Sequence, residues 1–260
     1  MKVIRVFLLL CALAPAQESG DRITVPFSDA SRPQTVTGHL VNGCFTVEGT
    51  DTKEVTVEGG DLRHNAPRAD GLRRITPGIG VTVEESNNTI RISGPDSRSL
   101  VVRVPRSVTL KMECTNGGDL KVSNVAGDVE LNNVNGSIRV AGVAGSVLAH
   151  SLNGRLTIAL DRVSPDKPMS FSTLNGDIDV TLPADTKATL KLKSDNGEIY
   201  TDFEVKLLPN STPAQVEDKR SSGGKYKVKM DKATVGTING GGPDMSFKTL
   251  NGNIFVRQRK

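Results

Sequence analysis

The sequence predicts an all-β fold, and within that class a single-stranded parallel β-solenoid (β-helix) with Asn-Gly turns and about 18–22 residues per coil. Three observations carry the prediction. Glycines stand at 118, 127, 136, 145 and 154, a nine-residue beat, with aliphatic residues two, four and seven places after most of them. Asn-Gly pairs recur at 135, 153, 175 and 196, in steps of 18, 22 and 21, so two nine-residue units make one coil. Beyond the first dozen residues no stretch keeps helical periodicity, and 26 glycines with no tryptophan suit short strands joined by tight turns.

Asn-Gly is also a hairpin signal, so an antiparallel meander competes. The spacing argues against it. In a straight strand the seventh residue after glycine points away from the second and fourth. Val129, Leu131 and Val134, or Ile138, Val140 and Val143, are all apolar, which predicts a bend that turns all three inward. Glycine and asparagine tolerate positive φ, which gives each turn a mechanism.

Taken in order, residues 1–16 read as a secretory signal peptide. Lys2 and Arg5 precede an apolar run from Val6 to Leu13, and Ala14-Pro15-Ala16 fits a small-x-small cleavage site. Residues 17–260 then form one β-solenoid repeat domain. In its first third, Val41 to Val47 matches the repeat, and Val55–Val57, Val81–Val83, Ile90–Ile92 and Leu100–Val104 are further strands of the same architecture. Leu62 to Arg74 is a polar loop. The regular coils follow from Gly118 onward, with longer turns at Arg162–Pro168 and Pro183–Lys187. An irregular insertion occupies about 206–231 and ends in the lysine-faced strand Lys225 to Met230. Ser170 to Gly176 returns as Ser246 to Gly252, so a last coil lies near the C-terminus.

A formal charge of +4 falls to +2 once Lys2 and Arg5 leave, too little to argue for nucleic acid. Cys44 and Cys114 remain; in an oxidising compartment they form a disulfide or stand as two free thiols, and spacing does not choose.

The runs VNGSIRV, LNGRLTI and SFSTLNGDIDVTLPADTKATLKLKSDNGEIYTDFEV, with ITVPFSDASRP before and DKPMSFSTLNGDIDV within, resemble the bacterial DUF4097 family. Its members carry the label of candidate adhesins and contain β-strand repeats. The resemblance spans about Asp21 to Arg257 and implies an exported cell-envelope β-solenoid. It supplies no catalytic motif to carry over.

Each candidate site meets a plainer reading. Asn135-Gly136, Asn153-Gly154, Asn175-Gly176, Asn196-Gly197 and Asn251-Gly252 form a structural turn ladder along one edge. A calcium β-roll needs paired glycines and an aspartate per turn, whereas the residue after glycine runs Asp119, Asp128, Ser137, Ser146, Arg155. Asp177, Asp179, Glu198 and Asp202 offer carboxylates for glycoside cleavage if stacking brings Asp177 beside Glu198, but they alternate with apolar residues and read as solvated surface. Two tyrosines and no tryptophan leave little for stacking on sugars. His39, His64 and His150 lack metal spacing. Arg63, Arg68, Arg73 and Arg74, with His64, are the densest basic cluster and a candidate anion-binding patch; the Lys225–Lys229 face and Arg257 to Lys260 add to it.

The expectation is an exported, non-enzymatic cell-envelope protein, periplasmic or at the cell surface. It acts as an adhesin or as a scaffolding and binding module for envelope polysaccharide or another envelope protein. No catalytic residue, cofactor, metal or nucleic-acid partner is expected, nor a transmembrane segment in the mature chain. The alternative is a polysaccharide-active β-helix enzyme, a hydrolase or lyase.

Overall fold

The structure, a computed structural model, describes residues 22–59, 81–94, 99–209, 215–218, 226–229 and 233–260. The signal-peptide segment, the loop 62–74 with its arginine cluster, and much of 206–231 lie outside the described residues.

Among the described residues every regular element is a strand. The first third supplies β1 (Arg22–Pro26), β2 (Thr35–Leu40), β3 (Phe45–Thr50), β4 (Glu54–Gly59), β5 (Thr82–Ser86), β6 (Thr89–Gly94) and β7 (Leu100–Pro105). The regular repeat supplies β8 (Thr109–Asn116), β9 (Leu120–Ser123), β10 (Val129–Asn135), β11 (Ile138–Gly145), β12 (Val147–Asn153), β13 (Leu156–Val163), β14 (Met169–Asn175), β15 (Ile178–Leu182), β16 (Ala188–Asn196) and β17 (Ile199–Thr201). The remainder is β18 (Lys206–Leu207), β19 (Gln215–Asp218), β20 (Tyr226–Lys229), β21 (Thr234–Ile238), β22 (Asp244–Asn251) and β23 (Ile254–Gln258).

These strands make two large sheets facing each other and one small hairpin, β19–β20. The first sheet runs β1-β4-β7-β3-β9-β11-β13-β15-β23-β17, and the second β18-β21-β16-β22-β14-β12-β10-β8-β2-β6-β5. In the middle, each Asn-Gly corner joins a strand of the second sheet to a strand of the first, making a two-strand rung. Neighbouring rungs are parallel, with Leu110 opposite Val129 and Val129 opposite Val147. The inner faces alternate as strands require. Leu110, Leu131, Ile138, Leu156, Ile178 and Val256 are fully buried, and the Phe171 and Phe247 rings meet at 5.0 Å. Each such side chain removed from water is worth roughly 1.5–3 kcal/mol.

One coil wound continuously from end to end is not what forms. The sheets are mixed in direction, and the rungs do not stack in chain order. β2–β3 lies between β6–β7 and β8–β9, while β22–β23 lies between β14–β15 and β16–β17. The reason is visible in the repeat itself. Ser246 to Gly252 copies Ser170 to Gly176, so Phe247 and Asn251 fit on Phe171 and Asn175 in register. β16 then pairs with β22 instead of β14. Around this stack, β4 and β1 extend the first sheet antiparallel, β5 lies antiparallel on β6, and β21 and β18 extend beyond β16. The first third therefore departs from the repeat architecture at β1, β4 and β5.

The bend at the seventh position is real at one edge and reversed at the other. Val125 and Val143 are buried where the chain returns to the second sheet. At the Asn-Gly corners, Leu152, Leu174 and Leu250 are exposed and Val134 is only half-buried. The inward place there belongs to the preceding residue, a polar one.

Candidate functional site

The Asn-Gly edge is built as two parallel rows of side chains. The outer row is the amide ladder. Asn135 Nδ2 donates to Asn116 Oδ1 (2.7 Å), Asn153 to Asn135 (3.0 Å), Asn175 to Asn153 (2.8 Å), Asn251 to Asn175 (2.7 Å) and Asn196 to Asn251 (2.9 Å). All bonds point the same way, and the five predicted Asn positions are brought together with Asn116 added. The order is 175, 251, 196, because the C-terminal rung intervenes.

The inner row, which the sequence reading missed, holds Asn133, Ser151, Thr173, Thr249 and Ser194, all buried. Each donates to the carbonyl of a corner glycine one rung away: Asn133 to Gly118 (2.9 Å), Ser151 to Gly136 (3.1 Å), Thr173 to Gly154 (2.9 Å), Thr249 to Gly176 (3.0 Å) and Ser194 to Gly252 (2.8 Å). A buried carbonyl without a donor is costly, so this row does structural work at every corner. The signal was present: a small polar residue stands two places before each asparagine.

The glycines are required by close approach more than by φ. A Cβ on Gly154 would lie 2.1 Å from the Gly136 carbonyl oxygen, and one on Gly136 would lie 2.0 Å from that of Gly118. The asparagines with positive φ are elsewhere, at 87, 88, 124 and 239, so the ladder asparagines keep ordinary backbone.

At the first corner the same inner row is occupied by Cys114, opposite Asn133 in register. Cys114 is bonded to Cys44, with Cα atoms 5.5 Å apart, and the disulfide ties rung β2–β3 to β8.

The candidate catalytic carboxylates do not converge. Stacking places Asn253 between Asp177 and Glu198: Asp177 Oδ1 accepts the Asn253 N–H (2.9 Å), and Asn253 Oδ1 accepts the Glu198 N–H (2.9 Å). Asp177 also pairs with Arg155 at 2.5 Å, and Asp179 with Arg257 at 2.8 Å. Asp202 accepts the Gln258 N–H (2.6 Å). In the row just after the repeat glycines, Asp119 accepts from Ser137 N and Arg139, while Asp128 accepts from Ser146 N and Lys167. These carboxylates hold backbone amides and cations of the next rungs.

His39 lies 3.4 Å from Glu113, and His150 Nδ1 is 2.8 Å from Ser172 Oγ, both on the outer face of the second sheet; His64 is outside the described residues. No group of three His, Cys, Asp or Glu that could hold a metal occurs among the described residues. Arg63, Arg68, Arg73 and Arg74 are outside them too, while Arg257 and Arg259 are engaged by Asp179 and Asp161.

One of the two tyrosines takes part in a ring stack on the outer face of the first sheet. Tyr200 of β17 lies beside Phe255 of β23, rings stacked at 5.2 Å and 11°. Arg257 covers Phe255 at 5.0 Å and leans to Asp179 on β15, the side away from Tyr200. Tyr200 is 51% exposed, whereas Phe45, Phe171 and Phe247 are wholly buried. The parallel runs Asn-Gly-Glu-Ile-Tyr and Asn-Gly-Asn-Ile-Phe carried this signal, since equal spacing from the corner puts both rings in one outward row.

Residues 114–239 match the family described as Toastrack DUF4097. No curated protein sequence matches the chain. Two solved structures are similar. A candidate cell adhesion protein from Clostridium sporogenes is 9% identical, with 92% of this chain and 99% of that one covered at a TM-score of 0.45. A candidate adhesin from Bacteroides fragilis is 11% identical, with 94% and 99% covered at 0.30.

Proposed function

We propose, from the premise that this chain is a Toastrack DUF4097 protein over residues 114–239, that it is an exported, non-enzymatic binding or scaffolding module of the cell envelope. The observation that carries this reading is how the outward carboxylates are spent. Asp119, Asp128, Asp177 and Asp179 each hold a cation, and three of the four also hold a backbone N–H of the next rung. Glycoside cleavage needs two carboxyl groups converging on one bond. Here Asn253 stands between Asp177 and Glu198, the pair that the enzyme alternative needs side by side.

Long faces built from repeated rungs suit repeated weak contacts with an extended polymer or another protein. The leader-like residues 1–16 and the Cys44–Cys114 bond support export to an oxidising compartment, periplasmic or at the cell surface. The finer architectural reading, a coil that turns once per 18–22 residues, we retain for the stack β8 to β15, where neighbouring rungs are parallel.

The test is binding of the mature protein to whole cells and to a panel of envelope glycans across a salt series. The reading expects saturable binding, with the salt slope reporting how much of it is carried by charge rather than by shape. Release of new reducing ends or unsaturated sugars from any glycan, abolished by Asp177→Asn or Glu198→Gln, would replace it with the enzyme reading.

A further inference from the structure

The two large sheets have four ends, and three are closed in the same way. Beyond the last rung strand at each of these ends lies at least one antiparallel strand: β4 and then β1 on β7, β5 on β6, and β21 and then β18 on β16. Among the described residues the fourth end has none. β17 pairs only with β23, in parallel, and is the outermost strand of the first sheet among the described residues.

The chemistry of that open end is specific. Ile254 N donates to the Glu198 carbonyl at 2.9 Å, so Glu198 and Tyr200 direct their backbone groups at β23. Alternate residues of a strand face opposite neighbours, so the N–H and C=O of Ile199 and Thr201 point to the unpaired side. The column Arg257, Phe255, Tyr200 also ends there, each member about one strand spacing from the next and the outer face of Tyr200 left bare. Leu207 and Leu208, 66% and 39% exposed, lie at the same end of the stack.

From this we infer that β17 is a receiving edge, which an extended segment of a partner protein completes as the next strand of the first sheet, laying an aromatic side chain on Tyr200. The chain shows what fits this strand on its paired side: Ile254, Phe255 and Val256 stand opposite Ile199, Tyr200 and Thr201. An aliphatic–aromatic–aliphatic sequence added on the open side would continue the column and cover Ile199. The backbone bonds supply affinity with little sequence demand, and the ring contact supplies selectivity. This deepens the binding-module reading by naming one surface and one kind of partner, and it rests on that reading.

The experiment uses the oxidised mature protein and a fluorescein-labelled peptide with the sequence of Gly252–Gln258, followed by anisotropy. Saturable binding is expected, weakened at least tenfold by Tyr200→Ala, by alanine in place of the peptide's phenylalanine, and by Thr201→Pro, and retained by Tyr200→Phe. Thr201→Pro removes the backbone donor on the open side, where proline is tolerated at an edge, but also the hydroxyl that accepts the Phe203 N–H at 3.1 Å. Thr201→Val, which loses that hydroxyl and keeps the backbone donor, is its control and should bind the peptide as the parent does. An unchanged thermal midpoint certifies folding of both. Absence of peptide binding, or binding indifferent to Tyr200 and Thr201, overturns the inference. So does perturbation of Tyr200 by oligosaccharides with none by peptide. Cell or glycan binding that persists in the Tyr200→Ala protein would leave the broader reading standing while this one falls.

Discussion

At the scale of single residues, the two rows on the Asn-Gly edge make opposite predictions. The ladder amides are exposed, so water replaces a lost bond and Asn175→Ala should cost well under 1 kcal/mol. Thr173 is buried and is the side-chain donor to the Gly154 carbonyl, so Thr173→Val should cost about 1–2 kcal/mol despite nearly equal volume. Denaturant melts of the two variants decide the ranking, and an equal or reversed order would contradict the assignment. Asn88 is a second such point. It is 2% exposed at φ 52–61 with its neighbour Asn87, and its Nδ2 reaches the carbonyls of Asp29, Arg32 and Pro33 while its Oδ1 accepts the Asp29 N–H. Asn88→Ala removes all of these and strains a left-handed position, for an expected loss of about 2–3 kcal/mol in the same melts.

At the scale of elements, the repeat was readable because its physics is local. Alternation placed β8 to β17, the nine-residue beat placed the corners from Gly118 to Gly154, and the Asn-Gly pairs at 175 and 196 placed the later ones. The Asn ladder followed from spacing alone. What escaped was the owner of each inward position at the corner: leucine is more apolar than threonine, yet Thr173 is inside and Leu174 outside, since the Gly154 carbonyl needs a donor more than the core needs another leucine. The Cys44–Cys114 pair was named as one of two alternatives, but spacing could not choose it, because residues 70 apart meet only when β2–β3 is slotted against β8. That bond closes a long loop, and reduction, or Cys44→Ser with Cys114→Ser, should lower stability by about 2–4 kcal/mol. Thermal melts with and without reductant measure it. The loop after β1 and the β5–β6 turn respond instead to acid. Hydrogen bonds from Ser31 hold the Asp29 carboxyl below its ordinary 3.8, those from Ser28 and then Asn88 hold Glu85 below 4.5, and Arg106 lowers Asp51. Depressed carboxylates stabilise the fold above their ordinary values and lose that contribution as pH falls through the lowered ones. Amide protection at this end, taken relative to the intrinsic exchange rate at each pH, should therefore fall below about pH 4.5 while the β12–β14 region stays protected; protection that changes uniformly along the chain would contradict that.

At the scale of the whole molecule, stacking order departs from chain order twice, and no local pattern announces it. The recurrence of Ser170–Gly176 as Ser246–Gly252 signalled a last coil but not its place between two earlier rungs. The consequence is that β16–β17 docks on the rung made by the C-terminus. A chain ending at Gly242 should lose protection of Ala188–Thr201 against proteolysis while the earlier rungs keep theirs; full protection would show that these strands dock without β22–β23. The same order places the bare face of Tyr200 at the end of the stack, so the proposed receiving edge depends on it as well. Register tests it most directly. Ser172 stands opposite Lys248, and Lys248 opposite Lys193, on the outer face of the second sheet. Oxidation of the paired variants S172C with K248C should give a rapid intramolecular disulfide, since facing Cα atoms of adjacent strands lie within bonding range. S172C with K193C should give none, because a whole rung stands between them. A rapid bond in the second pair and none in the first, read by mass spectrometry, would mean that the rungs stack in simple chain order and would contradict the architecture described.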